Sequence, residues 1–365
     1  MSDQNVIAQK CDDYVSLELT QQMLKNREKL RQERPLVYSK LMKFLELGNV
    51  PENPYVARID WAIGYACNLK CQHCFSTAFK GKVGNHKMTM DEIRMVANQA
   101  DEAGVFMINL IGGEPLILED LNETIQVLDP KRFRISVTTN GWNLTKEKAR
   151  ELARMGVDRV CISLDSFFAD EHDKFRGVPG SHIRATAAVI NSLEAGIVTQ
   201  VATCVTHQNL RSEGITKLLE WTNNLGVYND LPAAAPCGEW SGKTDMLITE
   251  DDAQYIRDLR QKFPLVRRDL FPSPGLQGGC FAIKQTLYII PTGEVLPCLL
   301  IHISLGNVFK EHLRDIRSRA LKISAFHNYS AKCLAAEDRR FIDKYISRTF
   351  KAKTLPVSYE EGWYE

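Results

Sequence analysis

The chain has almost no net charge, no long apolar run and no low-complexity tract, and each absence removes a class of function. Its 46 Lys and Arg stand against 45 Asp and Glu, a formal charge of +1. No basic excess is available to drive binding to nucleic acid or to an anionic membrane. Short basic pairs such as Arg267-Arg268 and Arg339-Arg340 read as solvated faces. No apolar stretch approaches the ~18 residues of a membrane helix, and the opening MSDQNVIAQK has no charged segment leading into an apolar core. The expected setting is cytoplasmic, with neither a membrane nor nucleic acid as partner.

What is present is an ordinary globular composition, 44% hydrophobic and 25% charged over 365 residues, which suggests two or three domains. Cysteine is plentiful, at ten residues. In a reducing compartment clustered cysteines point to metal or redox chemistry, not disulfides. Cys11, Cys161 and Cys204 stand apart and read as small buried hydrophobes.

Residues 1–56 form an N-terminal helical extension: 15–47 read as two amphipathic helices broken near Pro35, before the loop NVPENPY. From residue 57 to 240 apolar strands alternate with helical segments. RIDWAIGYAC, VFMINLIGG, FRISVTTNG, DRVCISLDS, IVTQVATCVTH and a weaker GVYNDLPAAAP are the strands. MDEIRMVANQADEAG, capped by Thr89, and LTKEKARELARMG, ending in glycine, are among the helices. Six strand-helix units in series predict an α/β fold with a parallel sheet or partial (β/α)6 barrel, whose chemistry sits at the C-terminal ends of its strands. After residue 240 the rhythm stops. A helical linker (241–275) leads to CFAIKQTLYIIPTGEVLPC, a hairpin turning at Pro291-Thr292-Gly293, inside a segment 276–345; 346–365 reads as an irregular aromatic tail.

CNLKCQHCF (Cys67 to Phe75) follows the first strand, GGEPL the second and TTNG the third. Cys67-x3-Cys71-x2-Cys74 offers three thiolates, one short of a closed zinc site, with His73 and His86 as the near candidates for a fourth ligand. An iron-sulfur cluster held by three thiolates leaves one iron open to a cofactor. Along the fourth strand, alternation places Val160, Ile162 and Leu164 on one face, and Cys161, Ser163 and Asp165 on a face expected to line the lumen.

With GGEP at the next strand end, this loop resembles the radical S-adenosylmethionine (SAM) superfamily, whose CxxxCxxC motif Cys67, Cys71 and Cys74 match; His73 takes the place of the usual aromatic. The resemblance implies that these cysteines hold a [4Fe-4S] cluster whose fourth iron binds SAM. Reductive cleavage of SAM would then give a 5′-deoxyadenosyl radical that abstracts hydrogen from substrate. It also implies a reducing partner such as flavodoxin or ferredoxin. Gly112, Gly113 and Glu114 would hold the methionyl amine, since glycine allows close backbone approach and a carboxylate accepts from an ammonium. Ser163 and Asp165 would contact ribose, Arg176 the SAM carboxylate, and Asn140 and Phe75 would complete the cofactor site.

The second cysteine set, Cys280-x12-Gly293-x4-Cys298 with Cys333, resembles the SPASM/Twitch extension of the same superfamily. That resemblance implies one auxiliary iron-sulfur cluster, with Cys237, His302, Asp338 or substrate at its fourth position. Cys237 and Glu239, in AAAPCGEWSG, are the candidate catalytic or substrate-contacting residues. A small polar metabolite is the expected substrate, and a ribosomally made peptide is the alternative. A non-catalytic metal-binding or redox-sensing protein is the reading of a different class.

Overall fold

The computed structural model describes residues 27–47, 55–82, 86–268, 270, 278–327 and 329–363. The first expected N-terminal helix lies partly outside these residues, and so do Cys11, the NVPENPY loop up to Pro54 and most of FPSPGLQGG.

Six strands fall where the alternating apolar segments predict them: β1 (Arg58–Ala62), β2 (Met107–Ile111), β3 (Arg134–Thr139), β4 (Val157–Ser163), β5 (Val198–Ala202) and β6 (Tyr228–Asp230). All pair in parallel with their sequence neighbours. The intervening helices cover the outer face, where Ile59, Ile108, Ile135, Val137, Val160 and Ile162 are fully buried. Local signals account for the helix ends. In the helix Met90–Glu102, Thr89 and Glu92 form a reciprocal capping box; Lys146–Arg154 is capped by Thr145, and Gly156 just beyond it takes the left-handed conformation (φ +85°).

The strand rhythm does not end at residue 240. A two-residue strand β7 (Val266–Arg267) extends the parallel sheet beside β6. β8 (Thr286–Ile289) pairs in parallel with β1, and β9 (Glu294–Leu296) and β10 (Gly306–Asn307) follow antiparallel. The result is one ten-stranded sheet in the order β10-β9-β8-β1-β2-β3-β4-β5-β6-β7. The hairpin is thus continuous with the barrel wall. Its turn falls as predicted, with Gly293 at φ +82° and a Cβ there set to lie 2.6 Å from Phe309.

The break at Pro35 is present, between helical residues 27–33 and the helix Pro35–Leu47. This element lies against the N-terminal ends of the central strands. Lys40 Nζ donates to the carbonyls of Val105 and Arg132, both at 3.0 Å, Arg34 pairs with Asp158, and Phe44 packs on Phe106. The C-terminal segment is less irregular than expected. It contains the helices Ser347–Phe350 and Tyr359–Gly362, and Trp363 is buried against Phe326 and Tyr345 with its indole N–H donating to Ser304 O at 2.9 Å. Among the described residues no helix is long and apolar enough to cross a membrane.

Candidate functional site

The cysteine loop is gripped from three sides. At the end of β2, Gly113 N donates to Gly64 O and Glu114 N to Ala66 O, both at 2.8 Å. A Cβ on Gly113 would sit 2.1 Å from Ala66 O, so only glycine permits this approach. Lys70 N and Gln72 N donate to the carbonyls of Arg176 and Phe175 at the end of the helix Ala169–Arg176. Glu239 N donates to Cys74 O at 3.1 Å.

Hydrogen-bond donors are aimed at the sulfurs of Cys67 and Cys71, and a hydroxyl lies beside that of Cys74. Leu69 N lies 3.4 Å and Asn140 Nδ2 4.0 Å from Cys67 Sγ, Arg176 Nη1 lies 3.8 Å from Cys71 Sγ, and Ser76 Oγ lies 3.1 Å from Cys74 Sγ. Such donors favour thiolate over thiol and tune the potential of a bound cluster. Without iron, burial pushes the Cys71 thiol up to about 11 against the pull of Arg176. Among the described residues no three His, Cys, Asp or Glu side chains form a group tight enough for a single metal ion; a cluster asks instead for one thiolate per iron. His86 is held by Glu92 at 3.0 Å. The donor set and the glycine-dependent contact fit an iron-sulfur cluster at this loop.

Several expected ligand contacts are engaged within the protein. Buried Glu114 accepts from Leu116 N (3.0 Å) and Thr139 Oγ1 (2.6 Å) on one oxygen, and from Asn140 N (2.7 Å) on the other. It therefore ties the GGEP turn to the end of β3. Burial raises its pKa against those hydrogen bonds. Asn140 Nδ2 donates to Asn68 Oδ1 at 2.8 Å. Arg176 Nε donates to Asp165 Oδ2 at 2.6 Å, and Asp165 Oδ1 accepts from Cys204 N at 3.0 Å. Burial disfavours both charges, yet their mutual attraction prevails, holding Asp165 down and Arg176 up. Asp165, one of the two expected ribose contacts, and Arg176 thus form a buried ion pair directly behind the cysteine loop.

His73 lies among aromatic rings. Its ring stacks on Phe175 at 4.4 Å and faces Trp240 at 5.8 Å, with Nδ1 buried and unpartnered. Burial, then Arg176, drives its pKa down to about 3. Phe75 meets Tyr288 edge-on at 6.3 Å.

The inner face of the sheet is polar, as the alternation of β4 predicts. Asn109 Nδ2 donates to Asp60 Oδ1 at 2.8 Å, and its Oδ1 accepts from Ser136 and Thr138 at 3.1 and 3.0 Å. Register places Arg58, Arg159, Gln200, Asp230 and Arg267 on the same face. Ser163, Cys161 and Cys204 are half-buried there, so the last two are not the fully buried hydrophobes expected. Sequence reasoning missed Tyr288. It is wholly buried on this face opposite Asp60, with its hydroxyl beside that of Tyr65. Its two-residue alternation with Thr286 was the available signal.

The second cysteine set also assembles. Cys280 N donates to Ser330 O at 2.7 Å, and Ile283 N donates to Pro297 O at 3.3 Å, bringing the two arms of the hairpin and the Cys333 turn together. Cys333 N donates to Glu337 Oε2 at 2.8 Å, and Glu337 is paired with buried Arg268. Backbone N–H groups of Leu300 and Ile301 serve Cys298, and that of Ala335 serves Cys333. These donors fit cluster-bound thiolates here too. Cys237 is buried, whereas Glu239 is exposed.

Comparison with known proteins agrees with this geometry. Residues 61–219 match the model of the radical SAM superfamily, and residues 280–336 that of SPASM, an iron-sulfur cluster-binding domain. The AdoMet-dependent heme synthase of Nitratidesulfovibrio vulgaris is 28% identical over 313 residues, covering 77% of this chain and 84% of that protein. The mycofactocin maturase MftC of Mycolicibacterium smegmatis is 27% identical over 263 residues, 66% of this chain and 63% of that protein. The fold is shared with SuiB of Streptococcus suis bound to S-adenosylmethionine (TM-score 0.57, 18% identity, 79% of this chain and 70% of that one). It is shared too with anSMEcpe bound to AdoMet (TM-score 0.57, 17% identity, 76% of this chain and 83% of that one). The chain uses iron-sulfur clusters and SAM, and it is a radical SAM enzyme with a C-terminal SPASM domain.

Proposed function

We propose that the enzyme abstracts hydrogen from a small, acid-bearing metabolite seated in the polar lumen between the two cysteine sets. Cys67, Cys71 and Cys74 would hold a [4Fe-4S] cluster, and Cys280, Cys298 and Cys333 an auxiliary one. With SAM and a reduced cluster bound, reductive cleavage of the sulfonium supplies a 5′-deoxyadenosyl radical. The protein's own part is positioning. Gly113 admits the loop to the strand end, Glu114 fixes the ends of β2 and β3 relative to one another, and the Arg176–Asp165 pair braces Cys71 from behind.

The observation that carries the substrate class is the lumen face. Arg58, Arg159 and Arg267 lie along it with Tyr288, Arg58 beside Asp60 at 3.4 Å and Arg159 beside Ser136 at 3.5 Å. These half-buried guanidinium groups suit carboxylates. Similarity to proteins named heme synthases, which make an iron porphyrin bearing carboxylates, favours the same class, whereas the maturases among the relatives favour a peptide.

The test is 5′-deoxyadenosine formation by reconstituted, reduced enzyme with Fe-coproporphyrin III, named in another relative, a panel of small carboxylic-acid metabolites, and short peptides. Stimulation of at least tenfold by a small carboxylated compound, with deuterium passing from it into 5′-deoxyadenosine, is expected. Stimulation by peptides alone would overturn the small-metabolite reading.

A further inference from the structure

The pair Arg267-Arg268, which the sequence presents as a solvated face, is divided between two settings. Val266 is buried among the apolar groups of the outer face, so Arg267 takes the lumen face of β7. Arg268 is buried and turns to the second cysteine set: its Nη2 donates to Glu337 Oε2 at 2.5 Å, the oxygen that also accepts from Cys333 N at 2.8 Å. On the other side β7 is held to β6, with Leu231 N donating to Arg267 O at 3.0 Å and Asn229 N to Leu265 O at 3.1 Å. The backbone at Arg267 is thus fixed from both sides.

Its side chain is engaged differently from the other arginines along the lumen. Arg58 lies beside Asp60 and Arg159 beside Ser136. The Arg267 guanidinium instead lies over the Tyr228 ring, 4.7 Å from its carbon to the ring centroid. Asp230, the neighbour of Arg267 in register, accepts from Gln200 Nε2, and among the described residues no acid pairs with Arg267. A guanidinium resting on a ring keeps its in-plane N–H donors for a planar, bidentate partner, which is what a carboxylate offers. Arg267 and Tyr228 are both half-buried, so the pair is partly shielded from water yet open to a ligand. β7 forms one edge of the sheet, with β2 to β6 between it and β1, whose end carries the first cysteine loop. An acid held at Arg267 sets the rest of a substrate across the lumen, with its reacting carbon toward that loop.

We propose that Arg267, resting on Tyr228, anchors the substrate's carboxylate and is the residue by which the enzyme distinguishes an acid from its neutral ester. The inference rests on the reading that the substrate is a small acid-bearing metabolite.

The experiment compares full-length, reconstituted wild type, Arg267→Gln, Arg267→Lys and Tyr228→Leu. The probes are Fe-coproporphyrin III and the small carboxylic acids of the panel, each beside its methyl ester. Equilibrium binding is read by calorimetry, KM and kcat by 5′-deoxyadenosine formation, and iron content shows that each variant is folded and loaded. Wild type should bind the acid more tightly than the ester. Arg267→Gln should bind the acid about tenfold more weakly or worse, bind the ester as wild type does, and raise KM more than it lowers kcat. Arg267→Lys, which keeps the charge but loses the fork, and Tyr228→Leu, which loses the ring, should fall between; Arg267→Lys decides the matter if Arg267→Gln does not load with iron. Equal acid binding by wild type and the Arg267 variants, with the wild type still preferring acid to ester, would overturn the proposal alone. Indifference of the wild type to acid and ester, or stimulation by peptides alone, would overturn the underlying reading and the proposal with it.

Discussion

Buried histidines set the pH behaviour of this chain at the level of single residues. His172 and His302 are 1% and 2% exposed, and burial drives both imidazoles down to about 4. In the unfolded chain they protonate near pH 6.5, so between about 6.5 and 4 the unfolded state binds more protons. Their stabilising contribution is complete above that window and is lost as pH falls through it, by roughly 1.4 kcal/mol per pH unit for each. Anaerobic urea unfolding near pH 7 and pH 5.5 should give a lower midpoint at the acid value and a smaller difference in His302→Gln; equal midpoints in the wild type would contradict this. At this scale the sequence revealed which residues cluster better than what they touch. The spacing of Cys67, Cys71 and Cys74 was only suggestive by itself, since zinc also takes thiolates, and became specific with GGEP at the next strand end. That Glu114 would spend its oxygens on Thr139 and Asn140, or that Asp165 would hold Arg176, depends on strand ends meeting in space, which local spacing does not encode.

Elements position the loop through backbone contacts that side-chain chemistry cannot replace. Gly113→Ala would force a Cβ to within 2.1 Å of Ala66 O and lift the loop from the end of β2. A displacement near 1 Å costs on the order of 10²-fold in rate, so SAM cleavage should fall by about that factor, while iron at the second cysteine set stays at its wild-type level by spectroscopy. Retention of full cleavage would show that the contact positions nothing. The hairpin turn at Pro291-Thr292-Gly293 was legible because its turn chemistry is local. β7 was not: two residues show no periodicity. Nor could the parallel pairing of β8 with β1 be read, since it joins segments remote in sequence and has no local signature.

Across the whole molecule, one sheet carries the first cysteine loop, the polar lumen and the hairpin of the second cysteine set. Strand-helix alternation forecast the central six strands, and burial explains why: their outer faces pack beneath helices and had to be apolar. The continuity of the hairpin with the barrel wall places Tyr288 on the lumen face, between Asp60 and the Phe75 turn that follows Cys74. The account stands or falls on whether the loop at the end of β1 performs reductive SAM cleavage. The most direct measurement is single-turnover formation of 5′-deoxyadenosine and methionine from SAM by reconstituted, dithionite-reduced protein, compared with Cys71→Ala. Both products should appear in equal amounts with the wild type, and neither above background with the variant. Absence of both from wild-type protein whose cluster is intact by spectroscopy would contradict the account.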